Sequence, residues 1–123
     1  METIYTSDAP QAIGPYSQAI CTGNLVFTSG QIPIDPVSDQ VEATTITEQT
    51  EQVCKNLVAV LSAADTSIEK VVKTTCFLST MDDFATFNEV YAKYFIGKPA
   101  RSCVAVKTLP KNVLVEVEVI AER

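Results

Sequence analysis

Near its end the chain alternates: Val113, Val115, Val117 and Val119 fall on one side of an extended backbone, and Leu114, Glu116, Glu118 and Ile120 on the other. This is the period of a strand with a valine face in the core, and it predicts a strand over Val113–Ala121. The same pattern occurs near the start. Ser17–Thr22 and Leu25–Gly30 are rich in apolar and β-branched residues and are joined by Gly23-Asn24, a pair suited to a tight hairpin turn. Glu2–Tyr5 can add a short edge strand ahead of them, and Pro33, Asp35 and Pro36 mark Gln31–Thr44 as a loop. The period then changes to helical. Thr45 and Glu48 have the spacing of a capping box, and Val53, Leu57, Val60, Leu61 and Ala64 recur at helical intervals, predicting a helix over Thr45–Ala64. Val71–Ser79 is a β-rich run that reads as a central strand. A second helix begins near Asp82 and Asp83, carries the stripe Phe84, Phe87, Tyr91 and Phe95, and stops at Gly97 and Pro99. Ser102–Thr108 is a further strand, and a turn at Pro110-Lys111-Asn112 joins it to the last one.

The order β-β-β-α-β-α-β-β predicts an α+β fold, a mixed sheet with both helices on one face. The other face is then left for a partner subunit to cover. A simple hairpin at Pro110-Lys111 would place Glu116 opposite residues near Ala105.

Composition narrows the chemistry. The chain has 123 residues, 46 % of them apolar, and no linker or repeat divides it, so residues 1–123 read as a single domain. Fifteen acids against nine bases give a net charge of −6, which suits nucleic acid poorly because phosphates are held by Lys and Arg. There is no histidine, which removes Ser/His/Asp and Cys/His nucleophile systems and every His-ligated metal site. Cys21, Cys54, Cys76 and Cys103 stand far apart, with no zinc-ribbon or CxxC spacing. With no apolar leader and no run near the ~18 residues of a membrane span, a reducing cytoplasm is the expected location.

Few residues remain that can carry chemistry. Arg101, one of only two arginines, sits at the mouth of an apolar strand. It is either half of a strand-end salt bridge, the more ordinary outcome, or a fork that grips a substrate carboxylate. Glu116 and Glu118 both lie on the non-valine face, where such a pair is solvated unless a neighbouring subunit covers one of them. A covered carboxylate can hold a water or relay a proton. In the hairpin expected above, Glu116 and Arg101 are roughly 13 Å apart along the strand, so a shared pocket needs long side chains or two chains. Tyr16 follows the Gly14-Pro15 turn as either a packed tyrosine or a phenol beside a substrate. Gly30, preceded by Ser29, makes a turn or lets a ligand approach the backbone. Cys103 should share the face of Arg101, as a small apolar filler rather than a nucleophile. The aromatic stripe reads as core, although Phe84 at the helix start can reach a pocket rim.

Taken together, Ala12-Ile13-Gly14-Pro15-Tyr16, Thr28-Ser29-Gly30-Gln31-Ile32-Pro33, Val72-Lys73-Thr74-Thr75, Asp83-Phe84-Ala85-Thr86 and Pro99-Ala100-Arg101-Ser102-Cys103-Val104, with Leu109-Pro110-Lys111 and Val115-Glu116, resemble the RidA family of reactive intermediate deaminases, also called YjgF or endoribonuclease L-PSP. The likeness runs over nearly the whole chain. It implies a chorismate-mutase-like protomer in a homotrimer with a central barrel and three pockets at the subunit boundaries. It also implies hydrolysis, without cofactor or metal, of small enamines and imines such as 2-aminoacrylate and 2-iminobutyrate to 2-keto acids and ammonia. On matching positions, Arg101 would bind the substrate carboxylate, and Glu116 would orient or protonate through water. Tyr16 would line the pocket, Gly30 would offer backbone contacts and the main chain of Cys103 would help place the water, with Ser29 and Phe84 as further substrate contacts. Only Ile96-Gly97-Lys98 separates the aromatic helix from Pro99, a shorter link than in the bacterial members closest in pattern. The alternatives are an endoribonuclease or translation inhibitor, and a non-catalytic module that binds small ligands or protects proteins.

Overall fold

The computed structural model describes all residues, Met1–Arg123. Six strands and two α-helices follow in the order β1 (Glu2–Ile4), β2 (Ala19–Thr22), β3 (Leu25–Thr28), α1 (Ile46–Ala63), β4 (Val71–Leu78), α2 (Phe84–Tyr94), β5 (Ala100–Ala105) and β6 (Val115–Glu122). The strands form one mixed sheet in the order β1-β2-β3-β6-β4-β5. All pairings are antiparallel except β4 with β5. No helix is long and apolar enough to cross a membrane.

Both helices lie on one face, as the sequence predicts. Val53, Leu57, Val60 and Leu61 of α1, with Ala64 at its C-terminal cap, are fully buried against Val115, Val117, Val119 and Ala121 of β6, Cys76 and Leu78 of β4, and Phe87 of α2. Thr45 caps α1: its Oγ1 accepts from the backbone N–H of Glu48 at 3.2 Å while its hydroxyl donates to the Glu48 carboxylate. The last turn closes with Asp65 in the left-handed region.

The opposite face has no cover within the chain. Rows read across the register are Ile20, Phe27, Ile120, Lys73 and Ala100; then Glu118, Thr75 and Ser102; then Glu116, Phe77 and Val104. Phe27 and Val104 are 38 % and 47 % exposed. The outer edge of β5 is also unpaired.

The structure corrects one expectation. β5 and β6 do not form a hairpin, because β4 lies between them, parallel to β5 and antiparallel to β6. The reason is the crossover: α2 carries the chain from the end of β4 back to its start, so β5 must run parallel to β4. The Val106–Leu114 segment then spans the end of β4. It is tied there by Val106 N–H to Leu78 O and Ser79 N–H to Leu114 O, and turns with Lys111 and Asn112 at positive φ. Glu116 therefore faces Phe77, with Val104 one strand beyond.

Two polar anchors hold the loops that carry site residues. The side chain of Gln18, itself buried, donates to the carbonyls of Thr6 and Pro10 and accepts from the Thr6 N–H, pinning the segment that leads to Tyr16. Buried Asn56 of α1 donates to the carbonyls of Ile32 and Ile34, fixing the loop that follows Gly30. Buried polar groups of this kind persist because each has its partner.

Candidate functional site

The site residues fall into two clusters. The first is built on β5 and α2. Arg101 and Cys103 stand beside Thr74 and Cys76 of β4 and point to the helix side. Phe84, Asn88 and Tyr91 are four and three residues apart along α2, so they share a stripe that faces Arg101. The guanidinium carbon lies 4.8 Å from the centre of the Tyr91 ring and 5.4 Å from that of Phe84, cation–π geometry in both cases. Nη1 donates to Asn88 Oδ1 at 2.7 Å. The expected strand-end salt bridge is absent: the only ion pairs in the chain join Arg123 to Glu2 and Asp65. Arg101 is thus held by two rings and a neutral amide, and its charge is uncompensated. Beside it opens a cavity of about 370 Å³ walled by Tyr91, Ala92, Phe95, Ile96, Lys98 and Pro99.

The platform is itself braced. The Tyr91 hydroxyl hydrogen-bonds Thr74 Oγ1 at 2.8 Å in the interior, and Tyr91 stacks on Phe95 at 4.4 Å. Burial raises the Tyr91 phenol. Burial also raises the Cys103 thiol, although the Arg101 charge works against the rise, and pushes Cys76 up to about 12. Both shifts work against a thiolate, the form a cysteine nucleophile needs.

The second cluster gathers Tyr16, Ser29, Gly30, Ile32, Pro110 and Glu116 around a cavity of about 310 Å³. Gly14 (φ 134°) starts the turn in which Tyr16 N–H bonds Gly14 O, leaving Tyr16 53 % exposed. Ser29 spends its hydroxyl on the Ser17 carbonyl at 2.5 Å. Gln31 bridges Val117 through both backbone bonds, which lays Gly30 against the Glu116 side chain. A Cβ at Gly30 would overlap the Glu116 carboxylate, with Cδ at 2.8 Å and Cγ at 3.1 Å. The Gly30 φ lies outside the left-handed region, so the carboxylate and not the backbone is what requires glycine here. Burial, and then the charge of Glu118, raises the Glu116 carboxyl above the usual carboxylate range.

Within one chain the two clusters do not meet. Arg101 stands level with Thr74 and Glu116 level with Phe77, on strands either side of β4 and on opposite faces of the sheet. At strand spacing that is ~14 Å between backbones. The sequence reading pointed to Arg101 and Glu116 but not to Lys98, which lines the first cavity. It missed Asn88, and it counted Tyr91 only as core. The available signal was a polar residue at i+4 from Phe84 and i−3 from Tyr91, in the middle of an aromatic stripe.

The profile of the endoribonuclease L-PSP family matches residues 6–123 of the chain. The chain belongs to that family. It is 53 % identical over 121 residues to a RutC family protein of Pyrococcus horikoshii, covering 98 % of this chain and 96 % of that one. It is 44 % identical over 126 residues to the 2-iminobutanoate/2-iminopropanoate deaminase of Escherichia coli K12, covering 99 % and 98 %. Among solved structures it superposes on Escherichia coli TdcF with bound serine at a TM-score of 0.95 and 42 % identity, covering 100 % of this chain and 99 % of that one. Other members of the L-PSP family carry the names regulator and endoribonuclease, so family membership fixes the protomer fold without fixing the reaction.

Proposed function

We propose that this L-PSP family protein is a cofactor-independent deaminase that hydrolyses small enamines and imines bearing a carboxylate, such as 2-aminoacrylate and 2-iminobutyrate, to 2-keto acids and ammonia. The observation that carries the reading is the guanidinium of Arg101, fixed on an aromatic platform beside a cavity and joined to no acid. A buried-edge cation without a counter-ion is ready for an anionic ligand, and a planar fork suits a carboxylate. The name of the 44 % identical relative and the serine bound to TdcF support a small α-amino-acid-like ligand.

The reading needs Arg101 and Glu116 at one substrate, and one chain holds them on opposite faces. The site is therefore composite: the Arg101 cluster of one protomer meets the Tyr16, Gly30 and Glu116 cluster of the next in a homotrimer, and the uncovered sheet faces meet at its centre. Arg101 would hold the carboxylate. Water would add to the C=N carbon while the imine nitrogen takes a proton relayed by Glu116. The carbinolamine would then lose ammonia as its C–N bond breaks and the hydroxyl becomes the keto oxygen. For an enamine, a proton first adds to the terminal carbon to give the imine. The raised Glu116 carboxyl is suited to exchanging protons with water, and the electrophile is activated already, so positioning accounts for most of the required effect.

The test is to generate 2-aminoacrylate or 2-iminobutyrate with a dehydratase and follow keto-acid release. The protein should accelerate release, and Arg101→Ala should lose roughly 100-fold or more in kcat/KM, as expected for removing two charge-assisted hydrogen bonds. An unchanged rate in that variant rejects the assignment. The endoribonuclease name of the family offers a second reading; a nuclease-free preparation should leave single-stranded RNA intact.

A further inference from the structure

The guanidinium of Arg101 has three separate restraints, and all three come from one stripe of α2. The Phe84 and Tyr91 rings hold it by contact, 5.4 and 4.8 Å from their centres, but an aromatic face offers no directional partner to set its rotation. Only the bond from Nη1 to Asn88 Oδ1 fixes its rotation. Asn88 is half-buried, carries no charge and makes no other side-chain hydrogen bond as acceptor or donor. Along α2 it stands four residues after Phe84 and three before Tyr91, on the stripe that carries both rings.

We propose that Asn88 is a positioning residue: it occupies one amino group of Arg101 and thereby turns the opposite edge of the guanidinium toward the substrate carboxylate. Being neutral, it aligns the cation without competing for it. A carboxylate at position 88 would make the same hydrogen bond and would also neutralise the charge that the substrate has to find. The side chain must therefore accept a hydrogen bond and must not be an acid. The inference rests on the reading of Arg101 as the carboxylate anchor, and it adds the group that gives that anchor its direction.

Steady-state kinetics on 2-iminobutyrate, together with calorimetric binding of 2-ketobutyrate, separate this role from a structural one. Asn88→Ala should raise KM and the keto-acid Kd by roughly tenfold, the worth of one charge-assisted hydrogen bond, with kcat nearly unchanged. Asn88→Asp, although isosteric, should be worse than Asn88→Ala in both. In an Arg101→Ala background neither substitution should have any further effect. Melting temperatures measured alongside show that the variants are folded. An Asn88→Asp variant that binds as wild type overturns the inference, and so does an Asn88→Ala loss that persists in full without Arg101. If the wild-type protein neither binds the keto acid nor turns over the imine, the reading of Arg101 fails instead, and that outcome is visible before any Asn88 variant is made.

Discussion

Glu116 carries two opposed demands. Its carboxyl titrates higher in the folded chain than its ordinary value of 4.5, because it is partly buried and lies near Glu118. Between the unfolded and folded values the folded chain binds the extra proton. The stabilisation this gives is fully present below 4.5 and is lost as the pH rises through the folded value. At pH 7 the ionised side chain is a cost, kept small by its contact with water. Glu116→Gln should therefore melt slightly above wild type at pH 7, and the gap should close as the pH falls toward 4, while deaminase activity drops sharply. Gly30→Ala should lose activity by displacing the same carboxylate yet leave the melting temperature almost unchanged, since the backbone conformation admits alanine. Thermal scans beside imine assays check both. Arg101 was legible in the sequence as one of only two arginines, at the mouth of an apolar strand, whereas Glu116 was told from Glu118 only by the family motif around it. Asn88 was not legible, since a single amide in an aromatic helix matches the solvated positions around it until the strand opposite is known.

At the scale of elements, the hydrophobic periods located both helices and all six strands to within a few residues, because burial on one face imposes the period directly. Pairing was harder. Pro110-Lys111-Asn112 has the composition of a hairpin turn, and the segment does turn, but around the end of β4 and not between neighbours. The order strand–helix–strand from β4 to β5 held the missing signal, since a short helical crossover requires parallel strands. That pairing matters for the site: it puts Arg101 next to Thr74, on the helix side, where α2 can supply the platform. The helices are held to the sheet by close packing. Leu57, with no exposed surface at the centre of α1, should cost about 2–5 kcal/mol when cut to alanine, read as a lower urea midpoint with an unchanged slope. A loss below ~1 kcal/mol would mean that α1 is less tightly seated than its burial indicates.

For the whole molecule the decisive fact is topological. Two clusters that each look like part of a pocket occupy opposite faces of one sheet, and no side-chain motion within the protomer can join them. The sequence pointed to a second chain through the sheet face left uncovered, the family resemblance and the reach between Arg101 and Glu116, the last of these with the wrong pairing. The corrected register strengthens the conclusion. In the proposed trimer, the uncovered face of Phe27, Phe77, Val104 and Ile120 would be the surface that brings the second cluster of one protomer to the first cluster of another. The most direct test mixes two disabled chains. Arg101→Ala and Glu116→Gln, each nearly inactive alone, are refolded together at equal ratio. If sites form between protomers, each mixed trimer regains a single intact site, and random assembly should restore about a quarter of wild-type activity. If the mixture is no more active than its components, the site does not cross the subunit boundary and the account is wrong.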